Sequence, residues 1–221
     1  YIICAFIGSI IFITGFSLLV ELIDRTLRDA YRSRRLTGLP VIAAFNGTNN
    51  LKYRGFLKAC NRRAAAYACQ QINGYLQPNR ATIINLLSIE EREGKSFLAK
   101  YFAQYWESEG LHVRIVNHDI DFEKESKSYV QAQQLSDFWQ LNDAEQQPDI
   151  ILVEYPALCH YDVPEKVLAE SDFNLLVANA ARLWSEKDNA RLRSVKDILK
   201  DKSLYLYLNL SLIHISEPTR R

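Results

Sequence analysis

A short apolar run, Thr82-Ile-Ile-Asn-Leu-Leu87, is followed by Glu93-Gly94-Lys95-Ser96 and then by an amphipathic stretch from Ser96 to Glu109. No other segment constrains the fold as strongly. A strand, a loop ending in Gly-Lys-Ser and a helix form the P-loop arrangement, in which backbone N–H groups and a helix N-terminus converge on phosphate. The lysine offsets charge on the outer phosphates, and the hydroxyl holds Mg2+. Gly94, Lys95 and Ser96 are the candidates for these tasks, which makes ATP with Mg2+ the implied cofactor. The full pattern puts a glycine five residues before Gly94, where this chain has Ile89.

The loop is also crowded with acid: Glu90, Glu91 and Glu93 flank Arg92. A carboxylate about 6 Å from a phosphate, at an effective dielectric of about 20, is repelled by roughly 3 kcal/mol per unit charge. Solvent screening removes most of that penalty if the carboxylates point outward.

Around this core the chain alternates. Strands are expected at Val41–Phe45, Thr82–Leu87, Val113–Asn117, Asp149–Tyr155, Phe173–Ala178 and Ser203–Leu208, and helices at Leu51–Ile72, Ser96–Glu109, Val163–Glu170 and Ser185–Lys200. Apolar strands interleaved with helices predict an α/β fold, a mostly parallel sheet with helices on both faces. Ile120 to Gln147 is polar, with an apolar patch at Phe138-Trp139. In open parallel sheets, ligands gather at the carboxyl ends of the strands. Two strands end in acid there, Asn117-His118-Asp119 and Glu154-Tyr155-Pro156. Asp119 and Glu154 are therefore the candidate catalytic and magnesium-binding carboxylates, with Ser96 as a third metal ligand. A lone loop Asp is more often simply solvated, whereas an acid ending a buried strand costs desolvation unless a charged partner needs it.

The first twenty residues contain no charge and twelve Ile, Leu, Val or Phe. Twenty helical residues span roughly 30 Å, the thickness of a bilayer's hydrocarbon core. At about −0.3 to −0.6 kcal/mol per large apolar residue, the twelve favour insertion by roughly 4–7 kcal/mol. A membrane span over residues 1–23 is the expectation. Arg25, Arg28, Arg32, Arg34 and Arg35 come directly after it, so the positive-inside rule places the remainder in the cytoplasm. Residues 21–37 read as a basic juxtamembrane helix stopped by Gly38-Leu39-Pro40. Asn46-Gly47-Thr48 matches a glycosylation sequon that has no meaning on that side.

The chain divides into a transmembrane helix (1–23), juxtamembrane and linking helices (24–80) and a nucleotide-binding domain (81–210). Residues 211–221 continue no upstream pattern and resemble translated sequencing-adapter readthrough. The absence of methionine predicts an internal fragment of a longer protein. With 27 basic and 26 acidic residues, nothing in the overall charge points to nucleic acid. The basic stretch Lys52–Arg63, with Tyr53 and Phe56 interleaved, suits acidic lipid or an oligomer contact. Cys4, Cys60, Cys69 and Cys159 show no CxxC spacing, and a reducing compartment keeps them as thiols. Cys159 and His160 would diverge on a strand, and His112, His118 and His160 lack metal-ligand spacing.

Taken together, the apolar span, the basic stretch leading to Arg35-Leu-Thr-Gly-Leu-Pro-Val41, the linking helix and Glu-Gly-Lys-Ser resemble the bacterial tyrosine kinases of capsule and exopolysaccharide export. These are the cytoplasmic ends of chain-length-determinant, or polysaccharide co-polymerase, proteins. The resemblance covers residues 1 to about 210. In that family the loop reads Ser-x-x-Pro-x-Glu-Gly-Lys-Ser/Thr, so Ser88, Glu93, Gly94, Lys95 and Ser96 match and Glu91 replaces the proline. The family's Asp-x-Asp becomes Asn117-His118-Asp119, and its next acid, followed by a small residue and Pro-Pro, becomes Glu154-Tyr-Pro-Ala157. Of its Glu-x-x-Arg-x-x-Arg oligomerisation motif, Arg54 alone fits. Tyr205 and Tyr207 lie on a strand and are poor substitutes for the family's terminal tyrosine cluster.

The resemblance implies a homo-oligomer at the bacterial inner membrane, its main domain facing the cytoplasm, working with polysaccharide polymerase and export machinery and touching membrane lipid. The three altered acidic and proline positions imply a weakened kinase that serves as a scaffold. An active ATP-dependent tyrosine kinase and a membrane-associated partition-type ATPase are the alternatives.

Overall fold

The computed structural model describes residues 1–47, 51–138 and 147–211. Thr48 of the sequon, Trp139 and the tail from residue 212 lie outside these residues. Six strands, β1 (Val41–Asn46), β2 (Thr82–Leu87), β3 (Val113–Asn117), β4 (Ile150–Glu154), β5 (Phe173–Asn179) and β6 (Leu204–Ser211), form one sheet in the order β1-β6-β5-β2-β4-β3. Every neighbouring pair is parallel. Ser211, read from sequence as the start of an artefactual tail, is the last residue of β6 and pairs with Asn46.

Alternation along the strands builds two apolar layers, because successive side chains point to opposite faces of a sheet. Ile84 and Leu86 of β2, with Leu152, Leu175 and Tyr207, meet α3 (Arg54–Ile72) and α4 (Lys95–Ser108) through Ala68, Leu98, Phe102 and Trp106. Ile83 and Leu87, with Val153, Leu176 and Leu206, meet α6 (Glu165–Glu170) and α7 (Glu186–Leu199) through Leu168, Leu192 and Val195. Phe102 and Trp106 are fully buried, and truncating either to alanine removes about 3–5 kcal/mol. Among the described residues, the polar stretch after β3 carries a short α-helix, α5 (Lys127–Gln131), whose Tyr129 ring clusters with those of Phe122 and Phe138.

β2 lies between β5 and β4, and the chain leaves β2 toward one edge and returns past it to the other. The end of β2 is thus the topological switch point, the crevice where such sheets hold ligands. β1 hydrogen-bonds along β6, and α3 packs over it beside α4, so this part of residues 24–80 is built into the same sheet.

The N-terminal region departs from expectation. Instead of a continuous helix over 21–37, α1 (Ile2–Ile23) ends before an extended link, and α2 (Ala30–Thr37) starts afresh. Two acids cause the break. Asp24 accepts a hydrogen bond from the Thr26 N–H at 2.9 Å, and Asp29 accepts one from the Arg32 N–H at 2.9 Å. Short acidic side chains at such positions compete with the helical hydrogen-bond ladder and cap the next helix. Gly38, at φ +67°, closes α2 in the left-handed conformation that glycine adopts without a Cβ penalty.

α1 is 22 residues long, with Ile7, Ile11, Phe12, Phe16 and Leu19 all exposed. The side chains of Cys4, Ala5 and Leu22 lie outside the described ones, and among the described residues no helix is long and apolar enough to cross a membrane.

Candidate functional site

The loop between β2 and α4 has an unusual backbone. Arg92 takes φ +58° and Gly94 φ +100°, both left-handed. A Cβ on Gly94 would lie 1.9 Å from Asn209 Nδ2, so glycine is required there twice over, by backbone angle and by space. Asn209, on β6, donates through that same nitrogen to the Glu93 carbonyl at 2.9 Å. The loop is thereby tied to a strand 116 residues away.

Gly94 immediately precedes α4 as its N-cap residue, and no side chain caps that end of the helix. Its first N–H groups have no intrahelical acceptor and carry the positive end of the helix dipole, which suits an anion. Beside them is a pocket of about 310 Å3 lined by Glu91, Gly94, Lys95, Ser96, His118, Asp119 and Lys124 among others.

Lys95 is the central cation. It is 8% exposed, and its ammonium donates to the Ser88 hydroxyl beneath the pocket. Burial pulls its pKa below the usual lysine value, while Glu93, Glu154, Glu91 and Asp119 act in the opposite direction. Ser88, itself buried, donates in turn to the Glu90 carbonyl at 2.7 Å. Ser96 Oγ donates to Glu154 Oε2 at 2.6 Å, and Asn117 Nδ2 donates to the same oxygen at 3.2 Å. Burial raises the Glu154 carboxyl above the ordinary carboxylate range, with the Ser96 bond, Lys95 and Asn117 restraining the shift. The acid that ends β4 therefore has the charged and polar partners that its desolvation demands.

All seven residues singled out from sequence meet at this place. Glu93, Gly94, Lys95, Ser96 and Asp119 line the pocket, while Ser88 and Glu154 sit directly behind Lys95 and Ser96. Asp119 is the most solvated, with its side chain 64% exposed, and it faces Lys124 at 3.6 Å and His118 at 3.4 Å. Its N–H bonds to the Asn117 side-chain oxygen at 2.7 Å, forming a local turn at the strand end. Sequence reasoning missed His118 and Lys124. His118, whose pKa burial lowers, bonds the Glu154 carbonyl oxygen at 3.2 Å.

The acidic crowding resolves into three fates. Glu93 turns inward, 2% exposed, and its carboxylate accepts from the Glu90 N–H at 3.0 Å and from Arg182 at 3.1 Å. Glu90 turns toward Cys159 at 3.3 Å. Of the three, only Glu91 is left exposed at the pocket. Ile89, in the place of the first glycine, is 1% exposed within the apolar layer under the loop, and its carbonyl accepts from the Cys159 N–H at 2.9 Å. That substitution fills the core and leaves the phosphate side of the loop open.

The fit to Mg-nucleotide rests on this donor set. An uncapped helix start, a buried lysine and a hydroxyl bonded to a carboxylate are the groups that phosphate oxygens and a hard, oxygen-seeking cation need. Gly94, Lys95 and the first α4 amides would hold phosphate, and Ser96 with Glu154 and Asp119 would hold the metal.

No family model matches the chain, and no curated protein sequence matches it either. Solved structures do. The kinase domain of the Escherichia coli tyrosine kinase Etk superposes over 87% of this chain and 98% of its own, with a TM-score of 0.60 at 14% identity. The BceF tyrosine kinase domain matches over 84% of this chain and 99% of its own, with a TM-score of 0.57 at 14% identity. The chimerical protein CapA2B2 matches over 82% of this chain and 99% of its own, at 0.56 and 14%. What these similarities establish is architecture: the chain has the fold of bacterial tyrosine kinase domains, the group its loop and flanking segments resemble.

Proposed function

We propose that this chain is the nucleotide-binding, cytoplasmic part of a membrane-anchored regulator of surface-polysaccharide length or export, with tyrosine kinase activity weakened or lost. The observation that carries the nucleotide reading is the Ser96 hydroxyl bonded to Glu154 at 2.6 Å, next to Lys95 at the uncapped start of α4. Bound Mg2+ would offset charge on the outer phosphates and position them for transfer. The protein's part is to hold: Lys95 and the α4 amides grip phosphate, Ser96 and Glu154 fix the cation, and Lys124 adds positive charge at the rim.

Weakened transfer is supported by Asn117. An amide takes the place of the acid found in the resembled family, and it donates to Glu154 where a carboxylate would accept or coordinate. An amide cannot accept the proton of an attacking hydroxyl. Glu91, exposed at the pocket in place of the family's proline, adds repulsion toward phosphate. The exposed apolar side chains of α1 and the arginines after it support the membrane anchor, and exposed Phe56 and Tyr67 on α3 support contact with a second copy.

Titration of the detergent-solubilised chain with Mg-ATP, beside Lys95→Ala, tests the nucleotide reading. Binding by the parent chain that drops at least tenfold in the variant is expected, and equal, negligible binding by both overturns it. Carbonate extraction tests the anchor. Release of the chain from membranes refutes it.

A further inference from the structure

Cys159 and His160, expected to diverge on a strand, instead occupy a tight turn. The His160 and Tyr161 N–H groups both bond the Ala157 carbonyl at 3.1 Å. Two backbone bonds hold this turn against the phosphate loop, Leu158 N–H to the Ser88 carbonyl at 3.0 Å and Cys159 N–H to the Ile89 carbonyl at 2.9 Å. That register brings Glu90 alongside. One ligand atom from each of Glu90, Cys159 and His160 lies within 4.8 Å of the others.

From this convergence we propose a transition-metal site of the Zn2+ class, with Cys159 Sγ, a His160 ring nitrogen and a Glu90 carboxylate oxygen as its three protein ligands. The donor set decides the class. A thiolate and an imidazole select a borderline-soft ion over Mg2+ or Ca2+, and sulfur, nitrogen and one carboxylate are ordinary zinc donors. Tetrahedral zinc, with bonds of about 2.0–2.3 Å, keeps its ligand atoms roughly 3.3–3.6 Å apart. Cys159 Sγ and Glu90 Oε2 already stand 3.3 Å apart. The remaining closure falls to His160, whose exposed ring is free of core packing.

Without metal the thiol donates a hydrogen bond to Glu90. On binding, the thiol proton leaves to solvent and a sulfur–metal bond replaces the hydrogen bond. Glu90 and Cys159 line a groove of about 500 Å3, which leaves room for water in the fourth position. Two of the groove's cations do not oppose the metal, since Arg182 is paired with Glu93 and Asp188, and Arg191 with Asp162. Bound metal clamps the phosphate loop to the turn after β4 at Glu90, between Ser88 and Glu93. The site does not depend on the nucleotide reading, and it uses none of the residues assigned to that pocket.

Co2+ titrated into the detergent-solubilised full chain under reducing conditions is the test. One equivalent is expected to produce a thiolate-to-cobalt band and the visible absorption of tetrahedral cobalt, both abolished by stoichiometric Zn2+. Cys159→Ser should remove the thiolate band, and Cys60→Ser should leave it unchanged. His160→Ala, at an exposed position that does not threaten folding, and Glu90→Gln should each weaken binding by more than about tenfold, since even outer-shell partners register on that scale. A parent chain with no thiolate band overturns the proposal. So does a band that survives Cys159→Ser, or affinity unchanged in His160→Ala.

Discussion

The Arg182 guanidinium bonds the Glu93 carboxylate at 3.1 Å across 89 residues of sequence, and so the loop after β5 controls the shape of the loop after β2. The same guanidinium pairs with Asp188 at the start of α7, and the Asn179 N–H reaches the Glu93 oxygen that Arg182 holds, at 3.4 Å. Burial pushes the Glu93 pKa up, and Arg182 is the main force keeping it down. The backbone of residue 182 is in turn bonded by the Leu27 N–H at 3.3 Å, within the extended link after α1. A chain of contacts thus runs from the end of α1 to the phosphate loop.

Arg182→Ala leaves two buried carboxylates, Glu93 and Asp188, without their counter-charge, which costs on the order of 3 kcal/mol or more. Urea denaturation should show this loss. Adding Glu93→Gln should restore the part of it that belongs to Glu93, because the neutral amide no longer needs the guanidinium, while Asp188 still lacks its partner. Equal stability of the single and double variants would mean that the pair does not act as a unit.

Gly94→Ala should destabilise the chain by about 1–3 kcal/mol, from the left-handed backbone and from the contact with Asn209. Pairing it with Asn209→Ala removes the collision and leaves the backbone strain. Gly94→Ala should therefore cost less in the Asn209→Ala background than in the parent chain, and denaturant midpoints separate the two contributions.

Asn117→Asp places a second carboxylate against Glu154, where the amide now donates at 3.2 Å. Like charges so close raise the Glu154 pKa further and destabilise the fold by on the order of 1–3 kcal/mol at pH 8. The cost should shrink toward pH 5 and on addition of Mg2+, whose charge would offset that of the two acids. Melting temperatures at the two pH values, with and without Mg2+, check this. A variant as stable as the parent under all four conditions would mean that the two side chains separate.

Glu154 and Glu93 both have pKa values raised by burial, so the stability each contributes is fully present below the ordinary glutamate value and is lost as pH rises through the raised one. Lys95 has a lowered pKa, so its contribution is present above the ordinary lysine value and is lost as pH falls through the lowered one. Glu154→Gln retains an oxygen to accept from Ser96 and removes one carboxylate from this balance. Denaturant midpoints between pH 4.5 and 8 should fall less with rising pH in Glu154→Gln than in the parent chain.

The alternation of apolar strands and helices, the position of the phosphate loop and the acids at two strand ends were legible in the sequence, because each depends on residues close together along the chain. Thr82–Leu87 could be read as buried from its own six residues, and Lys95 and Ser96 as the start of a helix from the amphipathic spacing up to Glu109. Sequence alone did not reveal the break between α1 and α2, since only the hydrogen bonds of Asp24 and Asp29 show that these acids interrupt the helix. Nor could it foresee that Glu93 would turn inward while Glu91 stayed out. That depends on Arg182 and Asn209, which reach the loop from distant parts of the chain.

Sequence by itself determined which segments could form a sheet and where an anion could be held, because strand alternation and an uncapped helix start are local properties. Tertiary structure decided which carboxylates face the pocket, why Gly94 must be glycine, and that Glu90, Cys159 and His160 meet. Those outcomes rest on contacts between residues far apart in the chain, and only the packing of parallel strands brings such residues within a few ångströms.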